Sequence, residues 1–182
     1  MVANLSQAYQ LKKGELVYQQ GSIPLYGGYV FTGSMRHFHA PKNERKETTV
    51  GFEFEDSCFG DLRSIFYNEP TVTSLQAMED TIIGRLNKEH YLYLFENCKP
   101  FAKLMMLSME KRFNDLMTET IQARNDDAEV RYLKMLEAYP HILQRVSQRY
   151  IASYLGVEPQ SLSRIRKNIT VKACGSAFDR AA

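Results

Sequence analysis

Between Ser147 and Lys167 the chain gathers the side chains best suited to chemistry: Gln148, Arg149, Gln160, Ser161, Ser163, Arg164 and Lys167, interleaved with apolar residues at helical steps. Amides, hydroxyls and guanidinium groups in this mixture donate hydrogen bonds to phosphate oxygens and to the edges of bases in a duplex groove. The local charge agrees. Residues 141–182 hold 7 Lys and Arg against 2 Asp and Glu, whereas residues 1–140 hold 16 against 19. The 182-residue chain is only +2 in sum, so its cationic character sits at the C-terminal end, which is expected to meet an anionic partner.

Other chemistries find little support. Cys58, Cys98 and Cys174 are odd in number and far apart; they read as reduced thiols of a cytoplasmic protein. Three scattered thiols do not supply the four ligands of an iron–sulfur cluster. His37 and His39 share one face of a strand, where a solvated pair is expected rather than a metal site. No Gly-x-Ser-x-Gly, no Gly-Lys-Ser/Thr phosphate loop and no His–carboxylate cluster with ligand spacing occurs, so neither an enzyme, a metal nor a cofactor is expected. No apolar run approaches ~18 residues, which argues against a membrane span. The N-terminus lacks a charged segment followed by an apolar run, so no secretory signal is visible.

The donors need a scaffold. Ser147 is placed to cap a helix whose inward positions are Ile151, Ala152 and Leu155. Gly156 supplies the positive φ that ends it, and Val157 fills the space before the next helix. Pro159 opens that helix at a position needing no N–H donor, and Leu162 and Ile165 face inward. Two short helices joined by a Gly turn, with small Ala152 at the crossing, make a helix-turn-helix. The competing reading is an ordinary helical hairpin with a solvated basic face.

Upstream, Gly14, Gly21, Gly27-Gly28, Gly33, Gly51 and Gly60 break the chain into short β-rich pieces: residues 15–18, 29–32, 35–38, 48–54 and 71–77. This is the spacing of an antiparallel sandwich or barrel. Residues 41–47 are polar throughout and fit an exposed hairpin loop. After Asn87 the period changes. From Pro100 to Gln122 there is no Gly or Pro, and Met106, Met109, Phe113, Leu116 and Thr120 draw one apolar stripe along a helix of roughly 30–35 Å. Leu104 and Leu107 widen its apolar surface, and a second copy of the chain is the economical cover. Asn125-Asp126-Asp127 forms a polar turn. A helix from Ala128 to Ala138 follows, with Val130, Leu133, Met135 and Leu136 as its apolar set, and Pro140 ends it. Residues 171–182 show no period and read as frayed. The predicted organisation is a β domain over 1–98, a pairing helix over 99–124 and a helical domain over 125–182.

These residues resemble the Crp/Fnr (catabolite activator-like) transcription regulators, especially the short forms common in Bacteroidetes. The likeness runs from Leu11 to about Ile169. It rests on Lys12-Lys-Gly-Glu15, Phe59-Gly-Asp-Leu62, residues 74–80, and above all Arg149-Tyr-Ile-Ala-Ser-Tyr-Leu-Gly156 with Ser161-Leu-Ser-Arg-Ile-Arg-Lys167. The resemblance implies an α+β fold: a cyclic-nucleotide-binding-type β-roll (a double-stranded β-helix or jelly roll), a long dimerisation helix and a C-terminal winged-helix-type helix-turn-helix. It implies a homodimer acting on a palindromic operator in double-stranded DNA. Pro159, Gln160, Ser163 and Arg164 take the recognition positions, with Gln148, Arg149 and Ser161 placed for phosphates. A protein-interaction module with a degenerate DNA reader is the alternative.

Several departures from the family matter. Its nucleotide-binding members carry Gly-Glu-Leu, then Arg-Ser/Thr eleven residues after that Gly. Here the equivalent residues are Gly60, Asp61 and Leu62, with Thr71 and Val72 in place of the Arg-Ser/Thr pair. A hydroxyl does not offset the desolvation of a buried phosphate. The expectation is therefore a small-molecule effector of another kind, or none, and no tight cyclic AMP binding. Glu158 stands where the family has Ser or Thr. A brief turn around Gln144-Arg145-Val146 is the only place for a wing. The chain starts near its first strand, which predicts a pared-down regulator or one whose helical lead-in is lost.

Overall fold

The computed structural model describes residues 6–41 and 46–179, with side chains through Val171; the loop expected at 41–47 lies mostly outside these residues. Eight strands come first: β1 (Gln7–Leu11), β2 (Leu16–Tyr18), β3 (Tyr26–Thr32), β4 (Met35–His39), β5 (Thr48–Glu53), β6 (Cys58–Gly60), β7 (Ser74–Ala77) and β8 (Thr81–Asn87). A short helix α1 (Leu62–Tyr67) separates β6 from β7. Then follow α2 (Lys88–Asn97), α3 (Lys99–Asn125), α4 (Ala128–Ala138), α5 (Ile142–Arg145), α6 (Gln148–Tyr154) and α7 (Pro159–Asp179). Two compact units divide between Glu119 and Thr120, inside α3.

The first unit is a roll of two antiparallel sheets ordered β1-β8-β3-β6 and β2-β7-β4-β5. Alternation along the strands turns Tyr18, Val30, Met35, Phe59, Leu75 and Ile83 into the core between them. β3 and β8 approach so closely that a Cβ on Gly28 would stand 2.1 Å from the Gly84 carbonyl oxygen; only glycine fits there. The outer face of the first sheet carries a second cluster, in which Ile65 of α1 and Leu86 of β8 pack with Tyr91, Leu94, Phe101 and Met105. On the other sheet, β5 is an edge strand. The Arg112 guanidinium of α3 donates to its Val50 carbonyl at 3.2 Å.

Asn87 starts α2 by accepting the His90 N–H at 2.8 Å, a side-chain N-cap. Helix α3 is 27 residues long, about 40 Å at ~1.5 Å per residue. It buries Phe101 and Met105, whereas Leu104 and Leu107 stay about half exposed. In the second unit Asp127 caps α4 by accepting from the Val130 N–H at 2.9 Å. The buried side chains of α4 are Tyr132 and Met135, and Val130 and Leu133 of the expected set lie exposed, because the helix turns its Tyr132 side inward.

Two expectations are corrected here. Residues 142–145 are a helical turn rather than a wing: the Val146 N–H closes on the Ile142 carbonyl at 2.8 Å, and both residues are buried. No strand occurs in the second unit among the described residues. The backbone of α7 stays helical to Asp179 instead of fraying at Val171; a stretch without Pro and with Ala173 and Ala177 sustains a helix without an apolar period.

Candidate functional site

In the second unit, α6 and α7 are joined by a turn whose Gly156 has φ +68°, the left-handed value that glycine adopts without strain. Ile151, Ala152, Leu155 and Leu162 are buried, so the inward face is the expected one. Ser147 stands before α6 but its hydroxyl makes no cap hydrogen bond. Its carbonyl accepts from the Tyr150 N–H at 2.9 Å instead.

The outward residues fall where the pattern requires. Gln148, Arg149, Pro159, Gln160, Ser161, Ser163, Arg164 and Lys167 are all exposed. Pro159 is the first residue of α7. The Ser163 hydroxyl donates to the Pro159 carbonyl at 3.1 Å, which leaves its oxygen lone pairs outward as acceptors. Arg149 lies over the Tyr150 ring at 4.5 Å and donates to the Tyr150 hydroxyl at 2.6 Å. That seat fixes the direction of its guanidinium. The pair is adjacent in sequence, and residue type alone did not signal this contact.

The cassette from Gly60 to Val72 belongs to the first unit. Gly60 has φ +152°, and Asp61 accepts from the Ser64 N–H at 2.9 Å as the N-cap of α1. Leu62 packs against the outer cluster. The cassette's one cation, Arg63, is exposed and paired with Glu69, its Nε donating at 2.9 Å. Thr71 is 2 % exposed; its hydroxyl donates to the Thr73 carbonyl at 3.1 Å, and its backbone bonds to Ser22 and Gly21. Val72 is exposed, and its carbonyl contacts His39 Nδ1 at 3.0 Å.

Burial drives the Tyr18 phenol well above its ordinary range, and the carboxylates of Asp61 and Glu53 push it the same way. His37 is not solvated as expected: its Nε2 meets Glu53 Oε1 at 3.2 Å, with both side chains 18 % exposed. The buried cation of the roll, Arg36, is held by Gln76 at 3.0 and 2.8 Å and by Glu47, and lies over the Phe38 ring. Its role was not legible, because a charged residue mid-strand reads as an exposed position. Among the described residues no group of three His, Cys, Asp or Glu side chains is arranged for a metal.

Residues 9–98 match the cyclic nucleotide-binding domain family. The first unit carries that domain's fold. The chain is also similar to solved structures over nearly its full length. FixK2 from Bradyrhizobium japonicum matches with a TM-score of 0.79 at 15 % identity, covering 92 % of this chain and 86 % of that one. The c-di-GMP-responsive global regulator CLP of Xanthomonas campestris gives 0.73 at 18 %, covering 94 % and 89 %. A protein from Eubacterium rectale described as a transcriptional regulator of the crp/fnr family gives 0.72 at 19 %, covering 94 % and 81 %. No curated protein matches the sequence. The β-roll with antiparallel sheets and helices is thus like that of Crp/Fnr regulators; the Bacteroidetes-type subdivision has no counterpart in these matches. No helix among the described residues is long and apolar enough to cross a membrane.

Proposed function

We propose that the chain is a sequence-specific, DNA-binding transcription regulator that works as a homodimer. The observation that carries this reading is the α6–Gly156–α7 unit: its apolar residues are buried, and the exposed side of α7 presents Gln160, Ser161, Ser163, Arg164 and Lys167. As a helix-turn-helix it would set α7 in a major groove, with amides and Arg164 reading base edges and Arg149 and Lys167 on phosphates.

Pairing is supported by α3, where Met106, Met109, Phe113, Leu116, Met117 and Ile121 are all exposed. An unbroken apolar stripe of this length on a lone helix costs free energy that a second copy recovers. A two-fold pair of recognition helices sits ~34 Å apart, one turn of DNA, and demands a roughly palindromic operator.

The β-roll is read as the sensing part without cyclic AMP binding in the usual mode. Thr71 offers no cation, and Arg63 is spent on Glu69. Selection of random duplexes on the purified chain, repeated across salt concentrations, tests the proposal. An enriched palindrome with affinity falling steeply in salt is expected. A single-chain species indifferent to every duplex overturns it.

A further inference from the structure

We propose that a cavity on the outer face of the β1-β8-β3-β6 sheet is a binding site for an uncharged, mainly aromatic small molecule, separate from the Gly60–Val72 cassette. It lies wholly in the first unit, roofed by the α2–α3 corner, and measures about 460 Å³. That falls within the ~300–1,000 Å³ of small-molecule sites and is about three times the ~150 Å³ apolar cavity that takes a benzene.

Gly28 and Gly84 are among the lining residues on neighbouring strands, and the Phe31 ring is seated over Gly84, where an added Cβ would meet it at 2.8 Å. The walls are rings. Tyr29 and Phe31 meet edge to face at 5.6 Å on one side, and Tyr91 and Phe101 at 5.4 Å on the other. Such pairs leave ring faces and edges free for a further aromatic partner in the same geometry. Phe31 and Leu104 both line the cavity and are about half exposed, so solvent and a ligand reach it.

Charge decides the class of ligand. None of the lining residues is Asp, Glu, Lys, Arg or His. The side-chain polar atoms among them are few: the hydroxyls of Ser6, Tyr29 and Tyr91 and the thiols of Cys58 and Cys98, with the Tyr29 hydroxyl already donating to Asp56 at 2.6 Å. Burial pushes the Cys58 thiol up, which keeps it protonated and neutral at pH 7. An anion such as a nucleotide would give up its water here and gain no counter-charge. A fused-ring or two-ring compound bearing at most one hydroxyl or carbonyl is the complement. Binding there is a property of the first unit and does not depend on whether the second unit reads DNA.

The test titrates the full chain with N-phenyl-1-naphthylamine, an uncharged aromatic probe that brightens in apolar sites. One saturable site per chain is expected, insensitive to salt and not displaced by cyclic AMP. Leu104→Trp fills the cavity from its rim and should weaken the probe by about tenfold or more, with helix content unchanged by circular dichroism and the sedimentation of the chain unchanged, since Leu104 also lies on the proposed pairing helix. Leu143→Trp, on an exposed position of the other unit, should leave binding as it was. A readout that needs no variant accompanies these: saturating probe should slow N-ethylmaleimide modification of Cys58 and Cys98 several-fold in the native chain. Absence of saturable binding, affinity unaltered in a folded Leu104→Trp, or unchanged thiol rates would overturn the site.

Discussion

Single side chains divide between those that read and those that merely attract. Arg164 and Lys167 stand three residues apart on α7, both exposed, yet the proposed interface gives them different work. Arg164→Ala should lose ~1–3 kcal/mol of discrimination at one base pair. Lys167→Ala should weaken all duplexes alike and flatten the salt slope. Fluorescence anisotropy on an operator and its single-base variants separates the two. A different limit governs Gly28, where an added methyl would meet the Gly84 carbonyl at 2.1 Å and the Phe59 ring at 2.6 Å. Gly28→Ala should therefore cost at least the ~1–3 kcal/mol of overpacking, read as a lower urea midpoint, while the equivalent change at open Gly14 or Gly21 would reflect only their positive φ.

Elements stand or fall on their ends and their faces. Asp127 is the cap of α4, accepting from the Val130 N–H, so Asp127→Ala should remove ~1 kcal/mol from the second unit without touching the first. Thermal melts followed by near- and far-ultraviolet dichroism would show it. Phe113, 63 % exposed at the middle of the α3 stripe, is the place to break the proposed pair. Phe113→Glu sets two carboxylates against each other at the seam, and sedimentation should then find single chains at concentrations where the parent is paired. These same elements show what was legible beforehand. The long helix, the Gly156 turn and the start of α7 at Pro159 announced themselves through Gly, Pro and period, which are local signals; Asp127 read only as part of a polar turn, not as a cap. β1, β6 and β8 did not. β1 is a half-polar edge strand, β6 is three residues long, and β8 lacks a clean alternation because it sends Ile83 to the core and Leu86 to the α2–α3 cluster on the opposite face. α1 was hidden for a similar reason: six residues beside a Gly read as a turn, and only the Asp61 cap makes them a helix.

At the level of the whole molecule, the two units carry opposite electrostatic tasks. Residues 1–140 hold 16 Lys and Arg against 19 Asp and Glu, with the cassette's one cation paired to Glu69, whereas residues 141–182 hold 7 against 2 and expose donors. Isothermal titration of the intact chain with cyclic AMP should accordingly show no micromolar binding. The outward polar residues of α6 and α7 were legible in sequence because they are exposed, and exposure is what polar residue types record. The cassette's fate was visible only in part. Thr71 in the place of an arginine could be read directly, but its burial, its bond to Thr73 and the pairing of Arg63 with Glu69 depend on a turn that spans ten residues. Arg36 and the His37–Glu53 contact depend on strand register, which no local pattern states.

Edges are where β proteins meet their own kind by mistake. The strand from Thr48 to Glu53 ends its sheet with open backbone, a template on which a foreign strand could add. By lending its guanidinium to the Val50 carbonyl, with Gly51 giving it room at 3.0 Å, Arg112 stoppers that template from the side. A residue of the helix proposed to bring two copies together thus also occupies one carbonyl of the edge on which a stray strand would have to build.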